Sequence, residues 1–342
     1  MNEFYLDLLW YFVIGLSIVF YVILDGFDLG VGMLHLFTKN NQDRRIFLNA
    51  IGPVWDGNEV WLVIVGGALF GGFPDVYAAL FSGFYNLCMI FLCGLIFRAV
   101  SIEFRSKQDS LAWRSTWDIV FSVASFIIAF GIGVILGNLI EGVPLNHNRE
   151  FVGAFEILFR PYPLLIGVLS CSLLMMHGAI FLTMKTDGAL HDRLRRWVKK
   201  SILFFMIMYL IVTWATWVHM PHMLDRMKEE PLWFLLAVAT VLAILNVPRE
   251  FSKGRDGTAF LYSCFGILTL FLLFGVGIFP MLVRSSIDPE VLSLTFYNAA
   301  ASPLTLKVLL IIVAIGIPLV LGYGFIVYRI FRGKVKIGAT SY

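Results

Sequence analysis

Acidic side chains interrupt two apolar stretches near the start of the sequence. Asp25 and Asp28 stand three residues apart in ILDGFDLGVG. Asp56 and Glu59 repeat this spacing in WDGNEVWL. Residues at i and i+3 lie on one face of a helix, and ionisable groups inside a membrane helix are costly unless they pair or carry ions or protons. The two pairs therefore predict either a proton or cation path or a set of buried ion pairs.

The composition predicts that these pairs lie in a membrane. Of the 342 residues, 59% are hydrophobic and 14% are charged, and the mean hydropathy is +0.84. A soluble domain cannot bury that much apolar surface, whereas a helix of ~20 apolar residues spans the hydrocarbon core of a bilayer. We predict one all-α membrane domain over residues 1–342, with nine transmembrane helices. Their predicted ranges are 8–36, 55–72, 77–98, 118–140, 161–184, 201–220, 231–247, 258–281 and 303–331.

Lys and Arg are unevenly divided between the two sides of this predicted bundle. The loops after the first, third, fifth and seventh spans, together with the C-terminal tail, hold 20 of the 26 Lys and Arg residues, counting Arg98 and Arg329 at the ends of spans three and nine. The N-terminus and the other loops hold 5, and Lys307 lies inside the ninth span. Cytoplasmic loops carry the excess of basic residues in membrane proteins. The N-terminus is therefore predicted to lie outside the cell and the C-terminus in the cytoplasm.

This topology brings both acidic pairs to a similar depth. The first pair falls in the cytoplasmic half of span one and the second at the inner end of span two, while Arg98 falls at the inner end of span three. Arg98 could instead snorkel to the headgroups, and Asp56 could only complement the N-terminus of its helix. Neither explanation covers Asp25 and Asp28. A buried ion pair with Arg98 remains an alternative, and we favour a hydrated acid chain that carries protons or a cation from the cytoplasm.

Other candidate ligand residues give weaker signals. Among the six histidines, His177 alone falls well inside a predicted span. A haem ligand is one interpretation of it, and an interhelical hydrogen bond is the one we favour. The four cysteines lie in apolar spans without metal-binding spacing, so no metal site is predicted. The basic run ALHDRLRRWVKKS at 189–201 predicts a short helix against anionic headgroups on the inner membrane surface, and no nucleic-acid site.

Five blocks of sequence carry a family resemblance. They are DGFDLGVGML (25–34), GPVWDGNEVWL (52–62), GGALFGGFPDVYAALFSGFY (66–85), FRAVSIEFRSK (97–107) and GVILGNLIEGVP (133–144). In this order they resemble the signature of subunit II of the cytochrome bd-type quinol oxidases. The C-terminal half resembles the family more loosely, through VGIFPMLVRSS at 276–286 and the pattern of spans.

The resemblance implies a complex that oxidises quinol in the membrane and reduces dioxygen to water. In that family two b-type haems, one d-type haem and the quinol-binding loop belong to subunit I. The present chain would carry no haem and no catalytic residue, and it would support haem binding and assembly beside subunit I. A small single-span subunit often joins the two. The complex would lie among the lipids of a bacterial or archaeal cell membrane.

The resemblance also implies roles for individual side chains. Asp28, Asp56 and Arg98 match family positions near the subunit interface that are associated with a proton path toward the oxygen-reducing site. Asp25 and Glu59 belong to the same blocks, so we include them in the predicted path.

The resemblance implies a role for Trp61 as well. Trp61 matches a family position near a proposed hydrophobic oxygen route or the interface.

Two alternative functions remain. A secondary transporter could use the same acids for ion coupling, but it would predict inverted repeats, and the sequence shows no clear repeat. A purely structural subunit, whose acids only form ion pairs, is the other alternative.

Overall fold

Helices dominate the chain, which a computed structural model describes over residues 3–338. The helices are α1 (Glu3–Leu34), α2 (Asn41–Ile51), α3 (Trp55–Gly72), α4 (Pro74–Gly83), α5 (Tyr85–Phe104), α6 (Leu111–Glu141), α7 (Pro161–Lys185), α8 (Gly188–His219), α9 (Asp225–Glu229), α10 (Phe234–Ser252), α11 (Asp256–Ile278), α12 (Pro289–Leu292) and α13 (Pro303–Ile330). Two short strands, β1 (Met281–Val283) and β2 (Leu294–Thr295), pair antiparallel between α11 and α13. The predicted all-α class is confirmed.

Within residues 3–338, eight helices are long and apolar enough to cross a membrane. They are α1, α5, α6, α7, α8, α10, α11 and α13. Helices α3 and α4 meet the same requirement only as a pair that is sharply bent at its middle. The predicted count of nine spans is therefore reached only when this pair is counted as one broken span.

The bend between α3 and α4 lies at Phe73 and Pro74. The two helices differ in direction by 120°. Pro74 has no N–H to continue the hydrogen bonds of α3, and it keeps Phe73 out of the helical region, at φ −138° and ψ 69°. The predicted range 77–98 for the third span therefore begins too early. Residues 77–83 belong to α4, and the membrane helix α5 begins at Tyr85.

The basic run at 189–201 is not a separate surface helix. It forms the first turns of α8, which continues to His219 over 32 residues. Between Ala189 and Ser201 there is no Pro or Gly, so nothing interrupts the helical hydrogen bonds where the charged residues end. The run is helical as predicted, and the helix that contains the predicted sixth span begins at Gly188 rather than at 201.

Helix α1 lies at the centre of the bundle, packed against α3, α6, α7 and α11. At its crossing with α7, a Cβ atom added to Gly30 would lie 2.9 Å from the Cα of Gly178. Backbones approach this closely only where both residues are small. The crossing therefore fixes the part of α1 that carries Asp25 and Asp28.

We expect Gly30→Ala to lower the melting temperature of the purified protein. The added methyl group has no space between the two backbones, and overpacking of this kind costs about 1–3 kcal/mol. Gly15→Ala in the same helix is the matched control, because no atom lies within 4 Å of its added Cβ. Equal melting temperatures of the two variants, measured by thermal unfolding in detergent, would contradict the close crossing.

One end of the bundle holds most of the basic connections, and we call it the basic side. It comprises the α1–α3, α5–α6, α7–α8 and α10–α11 connections and the residues after α13. Ion pairs join these segments: Arg193 of α8 contacts Asp43 of α2 at 2.8 Å, and Arg195 contacts Asp256 of α11 at 2.6 Å. The cytoplasmic location of the basic side stays a prediction from the distribution of charge.

Candidate functional site

An arginine and two carboxylates form the centre of a buried cluster. Arg98 of α5 donates through Nη1 and Nη2 to the two carboxylate oxygens of Asp25 in α1, at 2.8 and 2.7 Å. Nη2 also donates to Oε2 of Glu59 in α3, at 2.9 Å. The side chains of Asp25 and Arg98 are 0% and 1% exposed, and that of Glu59 is 21% exposed. Because a bidentate arginine–carboxylate pair is strong and geometrically specific, this cluster ties α1, α3 and α5 together.

Asp28 lies one turn further along α1 and has its own partners. Its Oδ2 accepts a hydrogen bond from Nδ2 of Asn58 in α3, at 2.7 Å. Nδ2 of Asn58 also donates to the carbonyl of Leu24, at 3.2 Å. The hydroxyl of Tyr328 in α13 donates to Oδ1 of Asn58, at 2.8 Å. Since a hydroxyl donor must face the amide oxygen, Tyr328 holds the amide so that its NH₂ group faces Asp28.

Three atoms beside these contacts are buried and have no hydrogen-bond partner among the described residues. They are Oη of Tyr21, Oδ1 of Asp28 and Nε of Arg98. Buried polar groups are nearly always satisfied by protein or by ordered water. The cluster therefore has hydrogen-bonding capacity that internal water or a neighbouring subunit can use.

Asp56 stands apart from this cluster. It lies in the first turn of α3, where the helix dipole stabilises a carboxylate, and it is exposed. The structure thus joins Asp25 and Glu59 through Arg98, places Asp28 beside them and leaves Asp56 at the surface. Asn58 and Tyr328, which complete the site, were not predicted from the sequence.

Trp61 lines a cavity next to the cluster. It is 2% exposed, and its ring stacks on Phe20 with 4.4 Å between the ring centroids. The cavity has a volume of about 180 Å³ and lies between α1, α3 and α13. Asn58 and Tyr328 also line it, so the apolar space adjoins the polar contacts of Asp28.

The geometry around His177 does not fit a haem ligand. Its Nδ1 pairs with Oγ of Ser263 at 2.7 Å, and its Nε2 pairs with the carbonyl of Ile23 at 2.9 Å. The ring stacks on Phe260 with 4.6 Å between centroids. A haem ligand needs a nitrogen that faces the iron, and both nitrogens are engaged here. Within residues 3–338, moreover, no group of three His, Cys, Asp or Glu side chains could hold a metal ion.

A second buried charge cluster, centred on Asp118 of α6, was not predicted from the sequence. Its Oδ1 accepts from Nε2 of His35 and from Nε of Arg105, both at 2.5 Å. Its Oδ2 accepts from Nη1 of Arg44 at 2.7 Å. The side chains of His35, Arg105 and Asp118 are all buried. The cluster joins the ends of α1 and α5 to α2 and α6 on the basic side.

We expect Asp118→Asn to lower the yield and melting temperature of the protein strongly. The change leaves Arg44 and Arg105 without their counter-ion, and breaking a buried ion pair in this way costs about 3–5 kcal/mol. Asp109→Asn is the control, because Asp109 forms a pair with Arg114 but is fully exposed, and such pairs contribute at most about 1 kcal/mol. If both variants melt alike, the Asp118 cluster does not hold the helix ends.

The chain is similar to known proteins over most of its length. A sequence model described as "Cytochrome bd terminal oxidase subunit II" matches residues 6–331. The cytochrome bd-I ubiquinol oxidase subunit 2 of Escherichia coli (strain K12) is 34% identical over an alignment of 364 positions, which covers 96% of this chain and 95% of that protein. The cytochrome bd ubiquinol oxidase subunit 2 of Bacillus subtilis (strain 168) is 34% identical over 330 residues, which cover 96% of each.

A solved structure shares the fold. The bd oxidase from Geobacillus thermodenitrificans matches with a TM-score of 0.78 over 95% of this chain and 98% of that chain, at 19% identity. The curated relatives are subunits of quinol:oxygen oxidoreductase complexes, and the apolar helices make this chain a multi-pass membrane protein. The resemblance seen in the sequence is confirmed: the chain belongs to the cytochrome bd terminal oxidase subunit II family.

Proposed function

We propose that this chain supplies protons to a haem-carrying subunit I, in a bacterial cell-membrane oxidase that oxidises quinol and reduces dioxygen to water. Membership of the family supports the reaction and the partner subunit. The bacterial relatives support the location. The buried cluster around Arg98, with Asp28 beside it, supports the proton role.

The charge balance of the cluster is the observation that carries the proposal. Among the described residues of the cluster, three carboxyl groups lie beside one guanidinium: Arg98 pairs with Asp25 and Glu59, whereas Asp28 has only the neutral amide of Asn58. An unpaired carboxylate is strongly unfavourable in a buried site, so binding of a proton relieves the surplus of negative charge. A cluster whose charge changes with each arriving and departing proton has the property that a relay needs.

The proposed path runs inward from the basic side. Asp56, exposed in the first turn of α3, forms its mouth. Glu59 lies one turn further along α3 and contacts Arg98, and the buried Asp25 and Asp28 follow. The excess of basic residues at this end supports a cytoplasmic mouth, with the N-terminus of the chain outside. Proton uptake from the cytoplasm, combined with release of quinol protons outside, would generate a proton-motive force without a pump.

The haems, two of b type and one of d type, are assigned in this proposal to subunit I. The engaged nitrogens of His177 support this assignment. The haems supply electron transfer from quinol and the binding of dioxygen. The residues of this chain hold α1, α3 and α5 in place and deliver protons. A small single-span subunit and the membrane lipids complete the proposed complex.

Trp61 is assigned to an apolar passage for dioxygen or to the subunit interface. The cavity that it lines lies beside α13. Among the described residues of α13, only Leu306 is buried, so most of the surface of this helix is free to contact a partner subunit or lipid. Dioxygen is small and apolar, and an apolar cavity of this kind can admit it.

A purely structural role is the alternative that one observation favours. The bidentate contact between Arg98 and Asp25 is the geometry of a pair that holds two helices together. In that case, neutralising the acids would reduce assembly and haem content, whereas the turnover of each assembled complex would stay unchanged. Family membership gives no support to the secondary transporter.

We expect Asp56→Asn to lower turnover several-fold while haem content stays at the wild-type level. Asp56 is exposed in this chain, so the neutral amide does not break a buried contact. The measurement is quinol-driven oxygen consumption of the purified complex, divided by the haem content from redox difference spectra. Asp192→Asn is the control, because Asp192 is also exposed on the basic side, but on α8. Wild-type turnover of Asp56→Asn would remove this residue from the path.

A further inference from the structure

One face of α8 is apolar and points away from the rest of the chain. Its exposed large side chains are Leu203, Phe204, Ile207, Leu210, Ile211, Trp214, Trp217 and Val218. They recur at three- and four-residue intervals, as the residues of one helix face do. At 1.5 Å per residue the stretch 203–218 is about 24 Å long, close to the ~30 Å thickness of the hydrocarbon core.

Three cations continue this face on the basic side. Arg196, Lys199 and Lys200 are exposed, and their spacing leads directly to Leu203 and Phe204. In the described part of the chain, no hydrogen bond or ion pair engages any of the three. They are therefore cations without a protein counter-ion, one turn above an apolar surface.

The two other arginines of the same run explain why these cations face outward. Arg193 pairs with Asp43 at 2.8 Å. Arg195 donates to Asp256 and to the carbonyl of Phe251, both at 2.6 Å, and its guanidinium lies 4.2 Å from the centroid of the Phe251 ring. These contacts lie on the two flanks of the cationic face, and Leu194, Val198 and Ile202 are buried on the side of α8 opposite to it, so the three cations point away from the bundle.

We propose that Arg196, Lys199 and Lys200 bind the phosphate headgroup of an anionic phospholipid, whose acyl chains pack on Leu203 and Ile207. Lys and Arg next to a membrane helix attract anionic lipids, and their long side chains reach the headgroup level. The indoles at the far end of the face are residues typical of the opposite membrane interface. A zwitterionic lipid has the same chains but no net charge, and it should bind here more weakly.

The test is lipid binding by the purified complex after removal of its native lipids. The probes are phosphatidylglycerol and phosphatidylcholine with identical acyl chains, and bound lipid is counted by native mass spectrometry. We expect the wild type to prefer phosphatidylglycerol, and the triple variant R196Q/K199Q/K200Q to lose about tenfold or more of that preference. The single variant Lys199→Gln should lose part of it, which keeps the test available if the triple variant assembles poorly.

The control is K39Q/K107Q/K336Q, which removes three exposed charges elsewhere on the basic side. It should keep the lipid preference of the wild type, and both triple variants should keep normal haem content and turnover. Unchanged preference in the α8 variant would overturn the proposal. Displacement of the lipid by an equal concentration of inorganic phosphate would also overturn it, because the site would then bind a soluble anion. Loss of a co-purifying polypeptide from the α8 variant would overturn it too, because the occupant of this face would then be a protein.

Discussion

Replacing Arg98 by methionine is expected to abolish most accumulation of the assembled oxidase. The change leaves Asp25 buried without its bidentate partner and removes the contact of Glu59. Breaking one side of a buried ion pair costs about 3–5 kcal/mol, a large part of the ~5–15 kcal/mol that stabilises a typical folded protein. The measurement is the amount of complex and of haem recovered from the membranes of cells that contain equal amounts of the transcript.

A double variant separates two effects of Arg98→Met: the unpaired charge left on Asp25 and the loss of the arginine side chain itself. In D25N/R98M neither charge of the Asp25–Arg98 pair remains, so the penalty of leaving Asp25 as an unpaired buried carboxylate is gone. We expect the double variant to accumulate better than Arg98→Met alone, though without wild-type turnover. Arg114→Met is the control for loss of an arginine that pairs with a fully exposed acid. Normal accumulation of Arg98→Met would show that the cluster does not hold the three helices.

Asp28→Asn is expected to give an assembled complex that turns over slowly. The amide oxygen of the new side chain can still accept from Asn58, so the contact seen at 2.7 Å is kept. The amide cannot accept and release a proton as the carboxyl group does. Because a positioned proton-transfer group contributes on the order of 10²–10⁴-fold to a rate, we expect turnover per haem to fall about 100-fold or more. Quinol-driven oxygen consumption, normalised to haem, measures this.

Asp28→Glu tests whether an ionisable carboxyl group at this position is what turnover requires. It restores an ionisable carboxyl group on a longer side chain, so part of the turnover should return. Loss of haem or of subunit I from Asp28→Asn would make Asp28 structural. Recovery of turnover by Asp28→Glu, without any change in haem content, separates proton transfer from packing.

The acid cluster could largely be anticipated, because its members stand in three blocks on consecutive spans. The i, i+3 spacing of Asp25 and Asp28, combined with the alternation of spans, leads to a meeting with Arg98 at one depth. Asn58 and Tyr328 could not be anticipated in the same way. They meet across 270 residues of sequence, and an amide or a tyrosine at a helix end has many ordinary roles. The contact by which Tyr328 orients Asn58 depends on how α13 packs against α3, and hydropathy does not predict that packing.

Helix bounds were less accurate than helix number, for a physical reason. Hydropathy locates the apolar part of a helix, but backbone hydrogen bonding continues through polar residues that favour helices. Helix α6 therefore begins at Leu111 rather than at 118. Asp118 consequently lies two turns inside a helix, where it pairs with His35 and Arg105.

Proton uptake during oxygen reduction tests the central claim most directly. Fully reduced complex is mixed with dioxygen in weakly buffered solution, and a pH-sensitive dye and the haem absorbance are followed together. The proposed path predicts that, in Asp28→Asn, proton uptake slows about 100-fold or more, since a positioned proton-transfer group contributes on the order of 10²–10⁴-fold to a rate, while the first haem oxidation keeps its wild-type rate. Wild-type uptake in an Asp28→Asn complex with full haem content would contradict proton delivery through this chain.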